Sequence, residues 1–144
     1  MSVVPDRRTA VRVTAAVAVG GALGAAARHG VAHLVPTEPG AFPWATLVTN
    51  VSGAFALAVL GAAVTNALVE HHPLRVLLTT GLLSSYTTFS TFAVEAAELV
   101  RDGHAPLAAG YVVVSLVAGL VVVILGSDAG SRIVASLPPF GHRR

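Results

Sequence analysis

Nine consecutive residues, Ser84-Ser85-Tyr86-Thr87-Thr88-Phe89-Ser90-Thr91-Phe92, carry six Ser and Thr hydroxyls inside a stretch with no charge from Val76 to Val94. Such hydroxyls compete for backbone hydrogen bonds and weaken a helix. A helix opened at membrane depth frees carbonyls that must be buried or line a cavity, where they are natural ligands for a cation. Helical spacing places Ser85, Thr88, Phe89, Phe92 and Glu95 on one face. Phe89 and Phe92 then stand about 4.5 Å apart along the axis. Their positive ring edges could meet an anion, although paired Phe in a membrane helix also serve as plain packing. Asn50 shares a face with Thr46, Thr49 and Gly53, either as glue between helices or as a pore contact. Arg28 follows Gly21, Gly24 and Ala25 at helical spacing, and its guanidinium either snorkels to an interface or faces a polar interior. Tyr111 and Ser115 continue the pattern one turn apart, and Tyr111 equally suits an interfacial belt.

The elements that must position these groups are apolar helices. Only 11% of the 144 residues are charged and mean hydropathy is +0.76. A soluble domain carries about 25% charge, so this composition specifies an integral membrane protein of one domain, residues 1–144. Four runs are long enough to span, at about 11–35, 43–69, 75–100 and 106–126. The fold class expected is therefore all-α, with four transmembrane helices and the third one broken. Pro43, Pro73 and Pro106 sit where helices start, a position that needs no backbone donor. Arg7-Arg8 before an apolar run resembles a signal peptide, but the run continues past Arg28, which favours a retained helix. Four spans bring Arg7, Arg8, Arg12, Arg75, Arg132, Arg143 and Arg144 to one side and leave Arg28 and Arg101 on the other. That bias puts both termini in the cytoplasm of a multi-pass cell-membrane protein.

Catalysis has no foothold in this pattern. There is no Cys, no Gly-rich phosphate loop and no nucleophile elbow, and a formal net charge of +2 gives no nucleic-acid surface. The histidines lie at helix ends or in loops. His29 and His33, four residues apart, could in principle bind zinc, but no third ligand completes a site, so they read as solvated interfacial residues.

Three segments together resemble the Fluc/CrcB family of fluoride channels. They are Gly20-Gly21-Ala22-Leu23-Gly24-Ala25-Ala26-Ala27-Arg28-His29, then Pro43-Trp44-Ala45-Thr46-Leu47-Val48-Thr49-Asn50-Val51-Ser52-Gly53-Ala54-Phe55, and the most specific, Gly81-Leu82-Leu83-Ser84-Ser85-Tyr86-Thr87-Thr88-Phe89-Ser90-Thr91-Phe92. The resemblance covers about residues 10–127. It implies a passive, fluoride-specific channel that exports cytoplasmic fluoride, built as an antiparallel dimer of four-helix subunits in membrane lipid. It also implies a structural Na⁺ at the dimer centre, held by the main-chain carbonyls of Ser84 and Thr87. By motif position the pore residues would be Asn50, Phe89, Phe92, Ser90 or Thr91, Tyr111, Ser115 and Arg28, with Glu95 at a gate or vestibule. The family usually has glycines where Ser84 and Ser85 stand, and an aromatic at His29.

Seven Arg against two is a strong bias for a chain that would have to insert both ways to form an antiparallel homodimer. The expected partner is therefore an oppositely oriented homologue, with a homodimer as the other possibility. Two further readings compete with the channel. A small proton-coupled exporter would need a carboxyl deep in a helix, whereas Glu95 and Glu98 lie toward a helix end. In a non-conducting assembly subunit the polar stripes would only be packing.

Overall fold

The computed structural model describes residues 6–67 and 73–136, apart from the side chains of 63–67. Among the described residues every regular element is helical: α1 (Arg7–Leu34), α2 (Trp44–Ala67), α3 (Pro73–Val76), a π-helical segment (Leu77–Leu83), α4 (Ser84–Tyr86), α5 (Phe89–Arg101) and α6 (Ala105–Ser136). Asp6 caps α1 by accepting a hydrogen bond from the Thr9 N–H at 3.1 Å, which holds its carboxyl below the usual range. Among the described residues three helices are long and apolar enough to cross a membrane: Arg7–Leu34, Trp44–Ala62 and Ala105–Ser136.

The third apolar run is not one rod. It is assembled from α3, the π-helical segment, α4 and α5, with Thr87 and Thr88 extended between the last two (φ −76°, ψ 158° and φ −149°, ψ 124°). The fourth run differs from expectation at its far end. Helix α6 continues ten residues beyond position 126, to Ser136, because loss of apolarity marks the end of a membrane-like stretch rather than of helical backbone. Asp128 and Arg132 pair across one turn at 2.8 Å in that extension. The expected end of the second run at position 69, and the charges Arg143 and Arg144, lie outside the described residues.

Glycine sets the helix contacts. A Cβ at Gly20 or Gly24 would run into the carbonyls of Leu77 and Leu82, so α1 and the π-helical segment touch backbone to backbone. Gly126 and Gly130 play the same part between α6 and the Phe55–Ala62 stretch of α2, where a Cβ at Gly126 would lie 2.8 Å from the Phe55 carbonyl.

Contact register fixes the directions. Gly20 meets Leu77 and Gly24 meets Leu82, so α1 runs parallel to the third stretch. Gly126 meets Phe55 and Gly130 meets Val59, so α6 runs parallel to α2. Asn50 meets Thr88 while Thr46 meets Glu95, so α2 and α5 are antiparallel. The start of α1, α3 and the end of α6 therefore share one end of the bundle, and Arg28 and Arg101 share the other. A small core of Leu47, Leu99, Ala108 and Tyr111 sits near that second end, flanked by Phe42, Val51 and Phe92. Val113, Leu116, Val117, Leu120 and Ile124 of α6 point outward.

Candidate anion pathway

The polar centre of the molecule is the extended pair Thr87–Thr88. An open helix leaves backbone groups without partners, and Asn50 of α2 supplies them. Its Nδ2 donates to the Thr88 carbonyl at 2.9 Å, and its Oδ1 accepts from the Thr88 N–H at 2.8 Å. The amide thus replaces two backbone partners at once and keeps one N–H free. Glue and pore contact, which the sequence left as alternatives, are in this geometry compatible. Thr88 then starts α5 as its N-cap: its Oγ1 accepts from the Thr91 N–H at 3.1 Å and donates to the Thr91 Oγ1 at 3.0 Å.

Those two diversions have a consequence upstream. In an unbroken helix the Thr88 N–H would serve the Ser84 carbonyl, and the Thr91 N–H would serve the Thr87 carbonyl. Asn50 and the Thr88 hydroxyl have taken both donors. The carbonyls assigned to the cation by resemblance are therefore among those that lose their helical donors where the chain opens, and oxygen ligands of this kind suit a hard cation. Serine at position 84 is no obstacle, because its backbone is ordinary right-handed helix (φ −67°, ψ −27°) that needs no glycine. Its hydroxyl bonds back to the Thr79 carbonyl at 3.2 Å.

Two cavities meet at Thr88. The first, about 490 Å³, is lined by Arg28, His29, Thr46, Thr49, Thr91 and Glu95 among others. Arg28 and Glu95 thus line the same cavity. Both oxygens of that carboxyl are held, one by the Thr46 hydroxyl at 2.8 Å and the other by the Tyr111 hydroxyl at 2.9 Å. Tyr111 is fully buried, stacked beside Phe42 and Phe92 with ring centroids 5.4 and 5.1 Å away, so it is not a belt residue.

The second cavity, about 390 Å³, is lined by Asn50, Thr87, Thr88, Phe89, Phe92 and Ser115, with Ser84 at its edge. Phe89 is 80% exposed on the subunit surface, while Phe92 leans on the core, the two ring centroids lying 6.0 Å apart. Ser115 Oγ is buried and has no hydrogen-bond partner among the described residues.

The residues singled out in the sequence thus fall into two groups rather than one stripe. Asn50, Phe89, Phe92 and Ser115 come together in one cavity, and Arg28, Thr91 and Glu95 in the other. Tyr111 and Ser90 line neither; Ser90 is exposed, with its Oγ 3.3 Å from the Thr88 hydroxyl. Sequence reasoning passed over Thr46, placed only on the face of Asn50, and Thr88 as a cap. Thr88 had a local signal, a hydroxyl residue just before an apolar helical run. Thr46 had none, since its partner lies 49 positions away and depends on the α2–α5 register.

Known proteins match the chain over most of its length. The family model described as CrcB-like protein, Camphor Resistance (CrcB), matches residues 15–127. The protein named Fluoride-specific ion channel FluC 2 of Nocardia farcinica is 44% identical over 114 residues, covering 79% of this chain and 81% of the relative. Fluoride-specific ion channel FluC 1 of Mycobacterium bovis is 44% identical over 126 residues, 85% of this chain and 92% of the relative. Fluoride-specific ion channel FluC 1 of Streptomyces coelicolor is 37% identical over 127 residues, 88% and 82%. With its glycine-packed apolar helices and the Thr87–Thr88 opening clamped by an asparagine, this multi-pass membrane chain belongs to the CrcB family.

Proposed function

We propose that the chain conducts fluoride passively across the cell membrane and so lowers its cytoplasmic concentration. The observation that carries this reading is the buried, unpartnered Ser115 hydroxyl in one cavity with Asn50 and the two Phe. A buried donor without a partner costs free energy unless something polar visits it. Fluoride is small and strongly hydrated, so its path must replace water with hydrogen-bond donors and positive ring edges. The Ser115 O–H, the remaining Asn50 N–H and the edges of Phe89 and Phe92 are such groups. Arg28 raises the positive potential of the neighbouring cavity and draws anions toward Thr91 and Thr88. Thr88 lines both cavities and is the point of transfer between them.

The pieces from Pro73 to Arg101 make the third of four crossings, in two halves, with both termini in the cytoplasm. Phe89, exposed on one subunit, is covered in an antiparallel dimer with an oppositely oriented homologue, a homodimer being the other assembly. Na⁺ at the centre of that dimer would be bound by the Ser84 and Thr87 carbonyls. Two carbonyls cannot enclose an ion, so the second subunit contributes the rest. The cation would supply fixed positive charge between the pathways. No step of transport requires chemistry on a substrate, and the chain is not an enzyme.

Fluoride efflux from liposomes tests the reading. The chain together with its homologue should release fluoride without a proton gradient, and Phe92→Ala should abolish release while the dimer still assembles. Unchanged efflux in Phe92→Ala would overturn the pathway, and fast efflux from the chain alone would overturn the heteromer.

A further inference from the structure

The last turns of α1 carry a pair of imidazoles that the fluoride pathway does not use. His29 and His33 approach through their Nε2 atoms at 3.0 Å, with ring centroids 4.4 Å apart and the planes nearly perpendicular. Both are exposed, and His29 lines the Arg28 cavity. The helix C-terminus beside them presents unpaired carbonyls and favours positive charge. His33 lies in its last turn.

We propose that His29 and His33 form a two-imidazole site for a late divalent transition metal, Cu²⁺ foremost, at the rim of the Arg28 cavity. Metal–imidazole bonds of about 2.0–2.1 Å spanning a 3.0 Å nitrogen separation subtend about 94° at the metal. That angle is the cis angle of a square-planar centre, the geometry of Cu²⁺ and Ni²⁺, and is narrower than the tetrahedron that Zn²⁺ prefers. The two nitrogens already stand at the separation a cis pair needs, so a bound metal displaces the proton between them and side-chain rotation turns both lone pairs onto the ion. Water completes the coordination, since no group of three ligating side chains occurs among the described residues. A zinc site would need a third ligand that the pair lacks; a two-ligand copper site does not.

Titration of the full chain in lipid nanodiscs with Cu²⁺, followed by electron paramagnetic resonance, tests this. One Cu²⁺ per chain should bind with coupling to two nitrogens. His29→Gln and His33→Gln should each lose that signature and weaken binding by about 100-fold, the advantage of two linked ligands over one. A variant with His71, His72, His104 and His142 all changed to Gln should keep it. In the unaltered chain, Cu²⁺ should also protect His29 and His33 from acylation by diethyl pyrocarbonate, read by mass spectrometry, which needs no variant to fold. Wild-type affinity in either single variant, loss of the signature in the fourfold variant, or unprotected His29 and His33 would each overturn the site.

Discussion

Near the Arg28 side of Thr88 the hydroxyls of Thr46 and Tyr111 both donate to Glu95, and the Thr91 oxygen accepts from Thr88. On the Phe side the Ser115 hydroxyl has no partner among the described residues, and Asn50 lines the same cavity as two aromatic rings. One cavity is walled by a carboxyl that two hydroxyls hold in place, which rigidifies it; the other is an apolar groove with donors held in reserve, which suits a visiting anion. Removing a hydroxyl should therefore do opposite things on the two sides. On the first it breaks the scaffold, and on the second it spares the scaffold and harms transport.

The divider between the cavities should be the most sensitive point. Asn50→Ala leaves both the N–H and the carbonyl of Thr88 without partners at a half-buried position. Each such group costs about 1–3 kcal/mol, so the variant should unfold well below the parent in a detergent thermal melt. Fluoride efflux should vanish with it. Asn50→Asp keeps the acceptor for the Thr88 N–H and loses the donor, and should fall between the two. If Asn50→Ala melts like the parent, the amide is not the clamp and the two cavities are not separately built.

The distinction between these cavities was only half written in the sequence. The hydroxyl run at 84–92 announced an opened helix, and the glycines at 20 and 24 announced close packing, because both are local patterns with local consequences. Within that run Thr87 and Thr88 have extended backbone, which the sequence did not single out. What could not be read was how an opened helix divides its residues. Once the chain turns at Thr88, helical periodicity no longer carries across, so Ser85 and Glu95 need not share a face. Tyr111 shows the same limit: its type suits a membrane interface, and only the packing of α5 on α6 buries it against Phe92 and Glu95. The far end of α6 was missed because hydropathy falls at Ser127 while the helix does not end there.

Next in size is the scaffold side. Tyr111→Phe keeps the ring between Phe42 and Phe92 and removes one donor to Glu95; Thr46→Val removes the other. A hydrogen bond to a charged group is worth about 1.5–3 kcal/mol, and each variant should lose that much stability. Because the two hydroxyls hold the same carboxyl, the double variant should depart from additivity, which a double-mutant cycle in the same melt would read. Additive losses would show that Thr46 and Tyr111 do not act through Glu95.

The smallest change in stability, and the sharpest contrast, belongs to Ser115→Ala. Its hydroxyl is buried without a partner, so removing it takes away a desolvated polar group and breaks no bond. Stability should hold or rise by up to about 1 kcal/mol, opposite in sign to Tyr111→Phe one turn away on α6. If fluoride uses that hydroxyl, efflux should fall by about tenfold, roughly one hydrogen bond's worth of barrier. Ser115→Thr restores the hydroxyl with an added methyl and should recover part of the flux. A destabilised Ser115→Ala would mean that the hydroxyl has a structural partner in the assembled dimer. A stable Ser115→Ala with parental efflux would mean that fluoride does not touch it. Either result would merge the two cavities into one kind of site, and only the pairing of unchanged stability with slowed efflux keeps them distinct.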